Sequence, residues 1–132
     1  MRQRGSALVE FQVLAVLLLV PLVYVLLAAL DVQRTVFGAT QAAREAGRVA
    51  ASTGSEPAAR YAASVSLRDQ GVDPALVGVR FSCPSGCQTP GGRITVEVST
   101  RVGLPFGPDV LGRVAAVPVS ATHTAPIDRY RS

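Results

Sequence analysis

The sequence predicts an α+β protein: a long N-terminal helix that begins in a membrane, a second short helix, and a small antiparallel sheet of about three strands. Three observations carry this reading. From Phe11 to Leu30 there is no charged side chain. From Val32 to Ala50 apolar residues recur at helical spacing. Beyond Asp73-Pro74 the period changes to two.

Bulk composition narrows the function classes first. The chain has 132 residues, 48% of them hydrophobic, and its mean hydropathy is positive. Subtracting a membrane segment leaves one small domain. The formal charge is +4, with Arg2 and Arg4 at the extreme amino end. Without them it falls to about +2, too weak a field to draw nucleic acid. All thirteen basic residues are arginine, and the aromatic residues are four Phe and three Tyr without any Trp, so no base-stacking platform is expected.

The first element is the apolar run itself. About twenty apolar residues cross the hydrocarbon core as a helix, and Phe11 to Leu30 meets that length. Arg2 and Arg4 precede it and Asp31 is the first charge after it. The positive-inside bias therefore keeps the amino terminus in the cytoplasm and exports the chain beyond Leu30, although Arg34 weakens the asymmetry. Glu10 sits at the start of this run. An ionised carboxylate in a membrane helix costs roughly 2.5 to 3.5 kcal/mol on insertion scales and is usually retained because it has a partner. Cutting the chain after Gly5 would free the α-amine of Ser6, one helical turn before Glu10.

Three readings compete for residues 1–30. A secretory signal needs a small-residue cleavage site after the apolar stretch, and Ala28-Ala29-Leu30 matches that poorly. A plain signal anchor accounts for the arginines and the hydrophobicity but not for Glu10. The third reading accounts for all of them. Arg4-Gly5-Ser6-Ala7-Leu8-Val9-Glu10-Phe11 resembles the processing site of type IV pilin-like proteins, with a short basic leader, a glycine, four small or apolar residues, a glutamate and an aromatic. The very short leader and the wording Gly-Ser-Ala-Leu-Val-Glu-Phe look most like the TadE-like proteins of tight-adherence (Flp-type) pilus systems.

That resemblance implies cleavage between Gly5 and Ser6 by a membrane prepilin peptidase. Ser6 becomes the mature terminus, and Glu10 the glutamate that pairs with the terminal amine of a neighbouring subunit during assembly. The physics agrees, because a carboxylate and an ammonium in a low-dielectric medium each need an opposite charge. Pairing within one chain, Ser6 to Glu10, stays open beside pairing between chains. So does a Glu10 that merely snorkels to the headgroups. The partners so implied are the peptidase, other pilin-like subunits, the assembly platform and the bilayer. The location implied is the inner (cytoplasmic) membrane and, once assembled, an extracellular pilus. Pro21 removes the amide that would bond the Leu17 carbonyl, so a kink or local loosening is expected there. Prolines in this part of the helix are also common in pilin-like proteins.

After Leu30 the helix turns amphipathic. Val32, Val36, Ala39, Ala43, Ala46 and Ala50 form a narrow stripe of small residues, with Arg34, Gln41, Arg44, Glu45 and Arg48 off it. The stripe serves either an intramolecular core or an interface with another subunit. Gly38 is a candidate soft point, and Ser52-Thr53-Gly54-Ser55 ends the helix. The organisation is a leader over 1–5, a membrane segment over 6–30, an exported continuation over 31–54 and a small α+β domain with a polar tail over 55–132.

A second helix is expected from Glu56 to Gln70. Pro57 suits its first turn, Glu56 complements the amino-terminal dipole, and Gly71 closes it. Strands come next. Val77, Val79, Phe81 and Cys83 share one face of the first. Ile94, Val96 and Val98 alternate with polar residues in the second, which extends towards Val102. Val117, Val119, Ala121 and His123 mark the third. Cys83 to Gly92 reads as a constrained hairpin loop. Its Cys83 and Cys87 form a local disulfide in an oxidising compartment or stay a pair of free thiols. Gly103-Leu104-Pro105-Phe106-Gly107-Pro108 reads as a linker, and the tail from Pro126 to Ser132 as polar and mobile.

No phosphate-binding glycine loop or nucleophile elbow is present. Cys83-Pro84-Ser85-Gly86-Cys87 has one residue too many for a thiol oxidoreductase. Two thiols and the distant His123 fall short of a zinc set. His123 reads as a structural residue, and Asp69, Asp73, Glu97, Asp109 and Asp128 as turn or surface carboxylates. No catalytic residue, metal or cofactor is expected. The function expected is structural, a pilin-like subunit processed at Gly5. The alternatives are a single-pass anchored binding domain that joins no filament, and a pseudopilin of a secretion system.

Overall fold

The structure, a computed structural model, describes residues 4–103 and 116–130. Helix α1 spans Arg4–Thr53 and helix α2 spans Glu56–Asp69. A 3-10 turn at Pro74–Leu76 leads into β1 (Gly78–Ser82), β2 (Arg93–Val102) and β3 (Val117–Pro126). The strands form one antiparallel sheet in the order β1-β2-β3. This is the α+β class the sequence predicts. Of the expected linker, Leu104 to Pro108 lies outside the described residues, as does Asp109.

Each boundary has a local cause. Gly54, at φ 68°, takes the left-handed conformation that ends α1. Ser55 then caps α2, its hydroxyl accepting from the Ala58 amide at 3.3 Å, with Pro57 in the first turn. At the other end Gly71 N donates to the Arg68 carbonyl and Val72 N to the Leu67 carbonyl, both at 2.9 Å. That reciprocal pair is a Schellman cap, and it turns Val72 back onto the core. The sequence signals for α2 therefore place it within a residue of its observed end.

Both helices lie on one face of the sheet. Ala39, Ala42, Ala43, Ala46 and Ala50 of α1 are buried against Ala59, Ala63 and Leu67 of α2 and against Ile94, Val96, Val98 and Val119 of the sheet. The alanine stripe is thus internal core. It is also wider than the periodicity suggests, because α1 is covered by α2 on one flank and by the sheet on the other. Val36 is the exception, 42% exposed. Helix α1 continues through Gly38, where a Cβ would lie 3.2 Å from Gln70 Cβ, so the residue lets the cap of α2 approach. Gly47 does the same for the sheet, where a Cβ would lie 2.9 Å from His123 Cδ2. The opposite face of the sheet is polar, with Thr95 and Thr124 hydroxyls 3.0 Å apart across β2 and β3.

Cys83 and Cys87 are disulfide-bonded. The loop they begin is folded on itself and then holds the tail. Gly86 N donates to the Cys83 carbonyl and Gly92 N to the Thr89 carbonyl, at 3.0 and 2.9 Å. Ile127 N donates to the Gly92 carbonyl at 2.9 Å, and Gly91 N to the Ile127 carbonyl at 3.2 Å. The expectation of a mobile tail from Pro126 therefore fails at its start. Pro126 ends β3, and Ile127, the one large aliphatic residue there, is 2% exposed. A single apolar side chain after a strand is enough to dock when the facing loop is rigid.

Two outcomes are expected from this packing. Gly47→Ala should lower the thermal unfolding midpoint of the detergent-solubilised chain but raise it in a His123→Ala background, a coupling of about 1 kcal/mol. Equal effects in both backgrounds would refute the close approach. Replacing both Cys83 and Cys87 by Ser should cost about 2 kcal/mol in urea unfolding, the value loop entropy gives for so short a ring.

Candidate functional site

The feature in need of a partner is the amino-terminal half of α1. From Leu8 to Leu30 every large aliphatic side chain and Phe11 is between 40% and 73% exposed. A helix apolar on all sides belongs in lipid or in a bundle. α1 is the one described helix long and apolar enough to cross a membrane. Its 50 residues measure about 75 Å. Roughly 30 Å of that suffices for the hydrocarbon core, and the packing of α1 into the α+β domain begins at Val32.

Gly5 and Ser6, the expected cleavage junction, lie in the first turns of α1. Glu10 is exposed on the helix surface and has no ion-pair partner among the described residues. A seven-residue spacing places Leu17, Tyr24 and Asp31 near the face of Glu10. Pro21 lies inside α1, which continues through it as helix. A shallow groove beside it is lined by Gln12, Val13, Val16, Leu17, Val20 and Pro21. The Leu17 carbonyl loses its helical donor at Pro21, and in hydrocarbon such a group must be satisfied from within the protein.

A second site lies at the far end of the domain. A groove between α1 and the end of β3 is lined by Arg44, Glu45, Arg48, Ser52, His123, Thr124 and Asp128, among others. Its charges are partly spoken for. Arg48 Nη2 lies 2.6 Å from Glu45 Oε1, and this hydrogen bond holds the Glu45 carboxyl below its ordinary range. Asp128 accepts from the Tyr130 amide at 2.9 Å. His123 is half-buried over Gly47. Asp73 caps the 3-10 turn through the Ala75 amide. No group of three or more His, Cys, Asp or Glu among the described residues is placed to hold a metal ion.

Sequence reasoning missed Arg60. It donates from Nη1 to the Val79 carbonyl at 2.8 Å, stacks 5.0 Å over the Phe81 ring and pairs with Glu56 at 2.6 Å. Its i,i+4 spacing from Glu56 was the only signal available, and that says nothing about β1. Comparison with protein families, with curated proteins and with solved structures finds no match for this chain.

A charge at the middle of the apolar run tests its place in lipid. Leu18→Arg should cost about 2.5 to 3.5 kcal/mol of insertion free energy and shift the chain from the pellet to the supernatant on carbonate extraction. Retention equal to that of the natural chain would mean that the run lies elsewhere.

Proposed function

We propose that this chain is a TadE-like, pilin-like structural subunit, anchored by α1 and cleaved between Gly5 and Ser6 for assembly of a tight-adherence pilus. The observation that carries the proposal is one of register. Gly5, Ser6 and Glu10 stand at the head of a single helix whose first half is apolar all round and whose second half is the spine of a small α+β domain. A carboxylate at that position is costly unless an ammonium meets it, and cleavage after Gly5 creates one. In this role the exported domain is the part displayed beyond the membrane. The disulfide between Cys83 and Cys87 suits an oxidising exterior.

The intact mass and N-terminal sequence of the chain from cells with an active prepilin peptidase test the proposal. Ser6 should be the first residue. Glu10→Ala should leave the chain in the membrane and reduce piliation at least about tenfold, the loss expected when a buried partner charge is left unpaired. A chain that keeps Met1 in such cells, or unaltered piliation with Glu10→Ala, would sink it.

A further inference from the structure

The end of the domain nearest the apolar half of α1 carries an exposed leucine between two arginines. We propose that this end, centred on Leu76 with Arg34 and Arg101 beside it, seats on the headgroup layer of the phospholipid bilayer that α1 crosses. The seat rests on the membrane part of the proposed function and goes beyond it, since an anchor alone asks nothing of the domain. It is independent of cleavage at Gly5.

Leu76 is 73% exposed, as much as Phe11 and more than any large aliphatic side chain between Phe11 and Leu30. A lone exposed leucine is ordinary on a protein surface. This one is held out from a fixed turn. Asp73 Oδ1 accepts from the Ala75 amide at 2.9 Å, and the Val77 amide donates to the Pro74 carbonyl at 3.2 Å. The Thr100 hydroxyl donates to the Leu76 carbonyl at 3.0 Å, which ties the turn to β2. Burying Leu76 therefore asks for little further ordering of the backbone.

Chain length fixes the level at which Leu76 stands. It lines one shallow groove with Asp31, Arg34, Asp73, Arg101 and Val102, among others. With Phe11 to Leu30 across the hydrocarbon core, Asp31 to Thr35 lie about 1.5 to 7.5 Å beyond it along α1. The headgroup layer on that side is about 5 to 7 Å deep. Helix α1 passes from its apolar run into the domain without interruption, so no tether lifts the groove away from that layer. Val117 reinforces the seat. It is also exposed, and it pairs with Val102 at the same end of the sheet.

The charges select the kind of surface. Arg34 and Arg101 are exposed, and a guanidinium fork on a long apolar stem suits a phosphodiester at an interface. Asp31 and Asp73 line the same groove, and Asp73 already caps the turn. Two cations against two anions make no footprint for a polyanion such as nucleic acid. They match a layer that offers phosphate and ammonium together, as phosphatidylethanolamine does.

The natural chain contains no Trp, so one introduced tryptophan reports one place. The full chain is reconstituted as Leu76→Trp, Leu18→Trp or Tyr130→Trp in vesicles of phosphatidylethanolamine with a minor share of phosphatidylglycerol, with and without bromine on the acyl carbons near the glycerol. Bromine should quench Leu76→Trp at least about twofold and leave Tyr130→Trp unchanged. Leu18→Trp reads the anchoring itself. If neither it nor Leu76→Trp is quenched, anchoring and seat fall together; if Leu18→Trp is quenched and Leu76→Trp is not, the seat alone is overturned. Tryptophan is drawn to interfaces by its own chemistry, so Arg34→Glu and Arg101→Glu are then combined with Leu76→Trp. Quenching should fall about twofold or more, and unchanged quenching overturns the seat. All three positions are exposed, so the unfolding midpoint should stay that of the natural chain. A Leu76→Trp shielded from aqueous acrylamide yet bright against bromine would mean that a second copy covers it, which overturns the seat as well.

Discussion

Close approach between small residues is the constraint on which the domain depends. α1 can be covered on two flanks because its inward surface is alanine and glycine from Gly38 to Ala50. With larger residues there the helix axes would stand further apart, and the single layer of Val96, Val98 and Leu67 would no longer span the gap. The core is correspondingly thin, and among the described residues its largest fully buried side chains are those three. Such a core leaves little surplus against chain entropy. The disulfide and the docked Ile127 therefore matter more here than they would in a larger domain.

The same helix has two unlike halves. Its second half is stabilised by packing in the domain, whereas its first half, apolar all round, is long and apolar enough to cross a membrane. No turn separates the two halves, so the apolar half joins the domain as a rod instead of a tether. Pro21, which takes one hydrogen bond out of that rod, falls within the apolar half.

Much of this was legible in sequence because the signals are local. Alternation at Ile94, Val96 and Val98 and again at Val117 and Val119 located two strands. Glu56-Pro57 and Gly71 bracketed α2, and the uncharged run from Phe11 to Leu30 located the apolar half of α1. What escaped was long-range. Gly47 looks like any helical glycine until His123 is brought against it. Ile127 looks like part of a polar tail until Gly91 and Gly92 offer their backbone. Arg60 reads as half of a surface ion pair, and its cover of β1 depends on the strand order.

Asp31 to Thr35 adjoin Thr100 to Val102, the partners of Val117 to Val119, and Arg44 to Ser52 adjoin His123 to Asp128, so α1 and β3 run parallel, with a mechanical consequence. Tension applied between the apolar half of α1 and anything held at the far end of the domain is directed along the strands. The ladder between β2 and β3 lies across that direction, so its ten residue pairs share the load in shear, where pulling across the sheet would unzip them one after another. An otherwise fragile fold is thereby oriented to resist traction along its own long axis.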